Sequence, residues 1–156
     1  MPYLMPPNAE KMYDFQRTVL RVISGIEVGK GVLPRDELLE VLASSNRDEL
    51  FIGGVIEKQE VGEVAVIYRG DLVPIVVPLD WFKPSGDGVH PDFTAFTIMD
   101  YGHTVKLGEY EAATHAVLYE FDREYHRRAF VGRYAESQKK REALRTLRGM
   151  WKKAGM

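Results

Sequence analysis

Apolar residues recur every three or four positions at the start of the chain and every second position in its middle. The change of period separates helices from strands. Met12, Phe15, Val19, Val22, Ile23 and Ile26 follow Asn8, a favourable N-cap, and form one stripe of a first helix that ends at Gly25 and the segment Gly29-Lys30-Gly31. A second helix is predicted from Pro34, whose fixed φ suits a first turn. Asp36 and Glu37 sit near its positive end, Leu38, Leu39, Val41 and Leu42 supply its buried side, and Ser44-Ser45-Asn46 stops it.

Residues 50–56, 63–69 and 72–77 are rich in β-branched and aromatic side chains and read as strands, with Gly70-Asp71 as a tight turn between the last two. Pro74 cannot donate to a ladder, so the third strand is expected at an edge or on a bulge. Two prolines and two glycines make residues 83–92 a loop. Residues 96–100 and 104–107, around Tyr101-Gly102-His103, read as another hairpin. A long helix is then predicted from about residue 109 to about 131. Thr114, Val117, Leu118, Phe121, Tyr125 and Ala129 lie on one side of it, and Gly132 separates it from a last helical stretch, residues 134–154. The fold class expected is α+β: two N-terminal helices, a four- or five-stranded mostly antiparallel sheet, then a long helix and a basic C-terminal helix.

Charge divides the chain where periodicity does not. Residues 123–156 hold 11 Lys/Arg against 3 acids, a net +8, whereas residues 1–122 hold 10 basic and 20 acidic residues, a net −10. The whole-chain net of −2 therefore conceals an acidic α+β domain, residues 1–122, and a basic helical tail, residues 123–156. This asymmetry points the tail at a polyanion or an acidic partner. Length and composition, 156 residues with 45% hydrophobic and 28% charged, suit one globular core. The absence of cysteine excludes a disulfide framework, a thiol nucleophile and a cysteine-based zinc site. The longest apolar run, residues 72–79, contains Pro74 and Pro78 and is far too short to span a bilayer. No basic and apolar leader pattern opens the chain, so a cytoplasmic protein with no membrane partner is expected.

Catalytic signatures are sparse. Residues 25–31 superficially resemble a phosphate-binding loop but are one residue short, lack the Ser/Thr that would hold magnesium, and follow a helix where a strand is required. Gly-x-Ser-x-Gly, His-Glu-x-x-His and Gly-x-Gly-x-x-Gly are all missing. On one straight helix His115 and His126 would lie about 16 Å apart and could not share a metal. Glu111 and His115, at i and i+4, could converge there with Asp100 or His103 from the hairpin, giving a zinc- or manganese-type donor set. The commoner outcome for such residues is local hydrogen bonding. No cofactor, no metal and no catalytic residue is assigned.

The tail carries the clearest chemistry. Arg127, Arg128, Arg133, Lys139, Lys140, Arg141, Arg145, Arg148, Lys152 and Lys153 can neutralise phosphates without base contacts, which makes them the candidate nucleic-acid-binding residues. Leu144, Leu147, Met150 and Trp151 form an apolar stripe between these charges. The stretch Leu147-Arg148-Gly149-Met150-Trp151-Lys152-Lys153-Ala154-Gly155-Met156 resembles the first helix and following turn of a repressor-type helix-turn-helix domain. The chain stops where the second and recognition helices would begin, so no DNA-reading residue carries over. Upstream, residues 49–56, 76–93 and 100–129 resemble an uncharacterised bacterial domain often found before such a helix-turn-helix. The resemblance implies a shortened regulator or a relative that lost its reader. The function expected is a non-enzymatic bacterial regulatory or binding protein whose basic tail contacts nucleic acid non-specifically. The alternatives are a protein–protein or homo-oligomerisation module, antitoxin-like or an assembly subunit, and a small metal-dependent enzyme.

Overall fold

The computed structural model describes residues 5–27, 31–60, 62–84 and 86–153, with the backbone alone for 133, 134 and 151–153. Helix α1 (Ala9–Ile23) begins as expected at Asn8, whose side chain accepts from the Lys11 amide. It buries Phe15, Val19 and Val22. Ile26 falls beyond its end and is exposed. Helix α2 (Arg35–Leu42) starts one residue after Pro34 and buries Leu38 and Val41.

The strands form two three-stranded antiparallel sheets, not one four- or five-stranded sheet. The first is β1 (Phe51–Gln59), β2 (Gly62–Arg69) and β3 (Pro74–Pro78), in that order. Pro74 sits on the edge strand, as a residue without an N–H must. The second is β4 (Phe96–Met99), β5 (Thr104–Leu107) and β6 (Tyr110–Ala113). Its third strand occupies residues expected to begin the long helix. Gly108, at φ 68°, turns the chain so that Tyr110 pairs with Leu107 and Ala113 with Thr104. Helix α3 (Thr114–Phe121) follows directly.

Gly53 and Gly54 let both neighbouring layers approach β1. A Cβ on Gly53 would lie 3.0 Å from the Phe15 ring of α1, and one on Gly54 would lie 2.9 Å from the Phe96 ring of β4. The core runs through this point and includes Phe51, Ile52, Val66, Ile67, Ile98, Leu107 and Leu118. Trp81 meets Phe121 edge-on at 5.5 Å and Phe82 meets Tyr110 at 6.4 Å, which closes the loop after β3 over α3 and the second sheet. Buried Glu57 accepts from the Asn8 amide and from Gln59, so the entry to α1 is tied to β1.

Tyr68 stacks on Phe15 with ring centroids 3.9 Å apart, and its buried hydroxyl has no hydrogen-bond partner among the described residues. Burial, with the Glu57 carboxylate adding to it, pushes that phenol up to about 12. Because the hydroxyl is desolvated without compensation, Tyr68→Phe is expected to leave stability unchanged or raise it by about 1 kcal/mol. Urea unfolding checks this; a loss above about 1 kcal/mol would reveal a partner for the hydroxyl.

Candidate nucleic-acid interface

The basic tail is one helix. α4 (Arg123–Lys153) runs through Gly132 and Gly149, so the expected interruption at Gly132 is absent. A helical glycine costs only about 1 kcal/mol relative to alanine, which the Ala, Glu, Gln, Lys, Arg and Leu residues elsewhere in the helix offset. The break comes earlier, at Asp122, whose extended backbone (φ −111°, ψ 107°) separates α3 from α4. Its carboxylate caps the new helix, accepting from the Glu124 amide at 3.0 Å and the Tyr125 amide at 3.1 Å, and it pairs with Arg69 of β2. Burial would raise the Asp122 pKa, but the Tyr125 amide, Arg69 and the Glu124 amide outweigh it and hold the carboxyl below its ordinary value.

Neither Asp122 nor Arg69 is a candidate on sequence, although Asp followed two residues later by Glu is a readable helix-start signal. A depressed folded-state pKa contributes stability that is present above the unfolded value, about 3.9, and is lost as pH falls through the folded value. Asp122→Ala is therefore expected to cost about 1–2 kcal/mol at neutral pH, the range for a lost cap. The deficit should shrink as the medium becomes more acidic than about pH 4. Thermal unfolding across that window checks it; a deficit that does not change with pH would refute the assignment.

Two further contacts fix the first turns of α4. His126 Nδ1 lies 2.9 Å from the Tyr119 carbonyl with its ring against Tyr119, and Arg128 lies 3.7 Å from Glu49. Arg127 pairs locally with Glu124 at 3.1 Å. From Phe130 to Met150 every α4 residue whose side chain is described is exposed, except half-buried Gln138. The helix is about 46 Å long at 1.5 Å per residue.

Its cations are not spread evenly. At about 100° per residue, Arg141, Arg145, Arg148 and Lys152 fall within about 60° of arc, and Arg123 and Arg127 continue the same row toward the body. Arg128, Arg133, Lys139, Lys140 and Lys153 occupy other azimuths. Of the ten predicted binding residues the structure thus aligns Arg127, Arg141, Arg145, Arg148 and Lys152. The side chains of Arg133, Lys152 and Lys153, like that of Trp151, lie outside the described residues. So do Val28, Gly29 and Lys30 of the phosphate-loop-like stretch. Among the described residues Arg141, Arg145 and Arg148 have no carboxylate partner.

The metal candidates stay apart. Glu111 lies on β6 and His115 on α3, so the helical i, i+4 relation between them does not exist. His103 lies in the β4–β5 turn, where its amide donates to the Asp100 carbonyl. No group of three or more His, Asp or Glu side chains able to hold a metal forms among the described residues. His115 and His126 are on different helices, α3 and α4, rather than one. His115 lines a shallow groove of about 260 Å³ with Ala116, Tyr119, Tyr125 and Ala129. No described helix is long and apolar enough to cross a membrane.

No family model matches this chain, and neither does a curated protein or a solved structure. The ten-residue stretch that resembles a helix-turn-helix start begins inside α4, and its turn residues Ala154, Gly155 and Met156 lie outside the described residues.

Proposed function

We propose that this chain is a non-enzymatic regulatory or binding protein that contacts nucleic acid through α4, reading charge and not sequence. The observation carrying this reading is the aligned row Arg141, Arg145, Arg148 and Lys152 on an exposed helix, where Arg141, Arg145 and Arg148 have no acidic partner among the described residues. A row of this kind lies along a phosphate backbone and releases counterions, which gives affinity without base readout. The acidic body repels the same polyanion and so restricts contact to the projecting arm.

Fluorescence anisotropy with a labelled duplex, titrated between 50 and 200 mM salt, tests the reading. Log K is expected to fall linearly with log salt by about 0.9 per phosphate neutralised. Arg141→Gln, Arg145→Gln and Arg148→Gln together should flatten the slope by about 2–3 on that rule. Lys139→Gln with Lys140→Gln, which leave the row intact, should change it by less than about 1. Absence of binding at low salt sinks the proposal, and equal effects of the two sets sink the row.

A second reading, contact with an acidic protein surface, is supported by Leu144, Leu147 and Met150, which are 53%, 43% and 62% exposed on the same helix.

A further inference from the structure

An isolated helix in water is marginal even with good helix formers, and in proteins an amphipathic helix gains most of its stability from a packed face. Beyond its first turns α4 has no such face among the described residues. Lys140, Leu144, Leu147 and Arg148 lie on one flank at i, i+4, i+7 and i+8 spacing, apolar residues between cations.

The body of the same chain carries the complementary surface. On α2 and its C-cap, Asp36, Leu39, Glu40 and Ala43 form an exposed stripe at i, i+3, i+4 and i+7, an apolar residue between two acids. No ion pair engages Asp36, Glu37 or Glu40 among the described residues. Beside the stripe, Glu37 accepts from the Tyr101 amide at 2.8 Å and so holds the β4–β5 turn against α2. Tyr101 keeps a left-handed backbone (φ 52°) with 45% of its surface exposed. Glu40, Val41, Ser44, Asn46, Leu50, Tyr101 and His103 then border an open hollow of about 190 Å³, room for one long side chain. An aromatic face next to a carboxylate suits an arginine or lysine.

We propose that the Leu144–Leu147 flank of α4 seats on the α2 stripe and the Tyr101 turn of a second copy of this chain, reciprocally, to give a two-fold dimer. Charge complementarity selects the occupant: a net −10 body and a net +8 tail exist in one chain, and among the described residues 139–150 of α4 are all exposed, as is the α2 stripe. One helix-on-helix contact is small against the roughly 1,200–2,000 Å² of specific interfaces, and two-fold reciprocity doubles it. Arg141 and Arg148 border both this flank and the cation row. A second copy and nucleic acid therefore compete for α4. The inference depends on α4 being free in the monomer and stands without the nucleic-acid reading.

Sedimentation equilibrium of the full chain tests it. Wild type is expected to dimerise at low salt, with a dissociation constant that rises at least tenfold between 50 and 500 mM salt. Asp36→Lys with Glu40→Lys, both at exposed positions, should weaken the dimer at least tenfold while far-UV circular dichroism stays unchanged. The tail-reversed variant Lys140→Glu, Arg141→Glu, Arg148→Glu should also be monomeric. An equimolar mixture of the two variants should dimerise, because each basic surface then meets an acidic one. A wild type that stays monomeric, a dimer indifferent to the α2 reversals, or a mixture that fails to associate overturns the proposal. A dimer that tolerates the α2 reversals but dissociates with Leu144→Asp would place α4 against α4 and overturn it too. The failures separate: duplex binding by a strictly monomeric protein removes only the dimer, and a protein that dimerises but binds no duplex even when diluted to monomer removes only the nucleic-acid reading.

Discussion

Gly102→Ala is expected to destabilise the protein by about 3–5 kcal/mol, the sum of left-handed strain and overpacking. Gly102 has φ 84°, and a Cβ there would lie 2.4 Å from the Phe51 carbonyl oxygen and 2.9 Å from its amide nitrogen. Both are backbone atoms of a fully buried residue, and moving them strains the contact between the two segments. The Phe51 amide donates to the Gly102 carbonyl at 3.1 Å, and the Thr114 hydroxyl donates to that same carbonyl at 2.6 Å. This one residue therefore joins the β4–β5 turn, the start of β1 and the first residue of α3. Gly25→Ala is the control, because Gly25 has a similar φ of 74° but nothing within 4 Å of the added carbon. It should cost about 1 kcal/mol from the backbone alone. At about 2–4 °C per kcal/mol for a chain of this size, the melting temperature should fall by on the order of 10 °C for Gly102→Ala. Equal shifts for both substitutions would show that the close approach to Phe51 is relieved at little cost.

The same turn shows what was legible in the sequence and what was not. The hairpin around Tyr101-Gly102-His103 is visible because the signal is local: two β-rich runs flank a glycine. Asn8 as a cap and Pro74 on an edge are equally local, each following from one residue's hydrogen-bonding capacity. The partition into two sheets is not local, since strand character does not name a strand's partner. β6 was hidden for a related reason. Tyr110-Glu111-Ala112-Ala113 has helical composition, and pairing with β5 overrides that propensity once Gly108 makes the turn. The metal candidates failed with it, because their convergence required a helix through Glu111. At the tail the opposite happened. Composition suggested a break at Gly132, and a capped helix with many strong formers carries that glycine unbroken. The row Arg141, Arg145, Arg148 and Lys152 is readable from its i, i+4, i+7, i+11 spacing, but that Arg123 and Arg127 continue it depends on the helix running unbroken through Gly132. Where that helix starts is set by the Asp122 cap and by Arg69, far away in sequence.

Phe15→Ala is expected to cost about 3–5 kcal/mol, the range for truncating a buried phenylalanine. Phe15 is the α1 residue that meets both Tyr68 of β2 and the β1 backbone at Gly53. Its ring stacks on Tyr68 and reaches the β1 backbone only because position 53 lacks a side chain. Truncation would leave a hole under α1 against the face of the Tyr68 ring. Tyr13→Ala, on the outer side of the same helix where the ring is 61% exposed, should change stability by no more than about 0.5 kcal/mol. The contrast also decides which way the Gly53 contact acts. Filling position 53 would put a Cβ 2.4 Å from the Gly31 carbonyl oxygen as well as 3.0 Å from the Phe15 ring. Gly53→Ala in the Phe15→Ala background should thus remain destabilising, since removing the ring relieves one clash and leaves the backbone clash in place. A double variant as stable as Phe15→Ala alone, measured by urea unfolding, would mean that only the ring excludes a side chain at position 53.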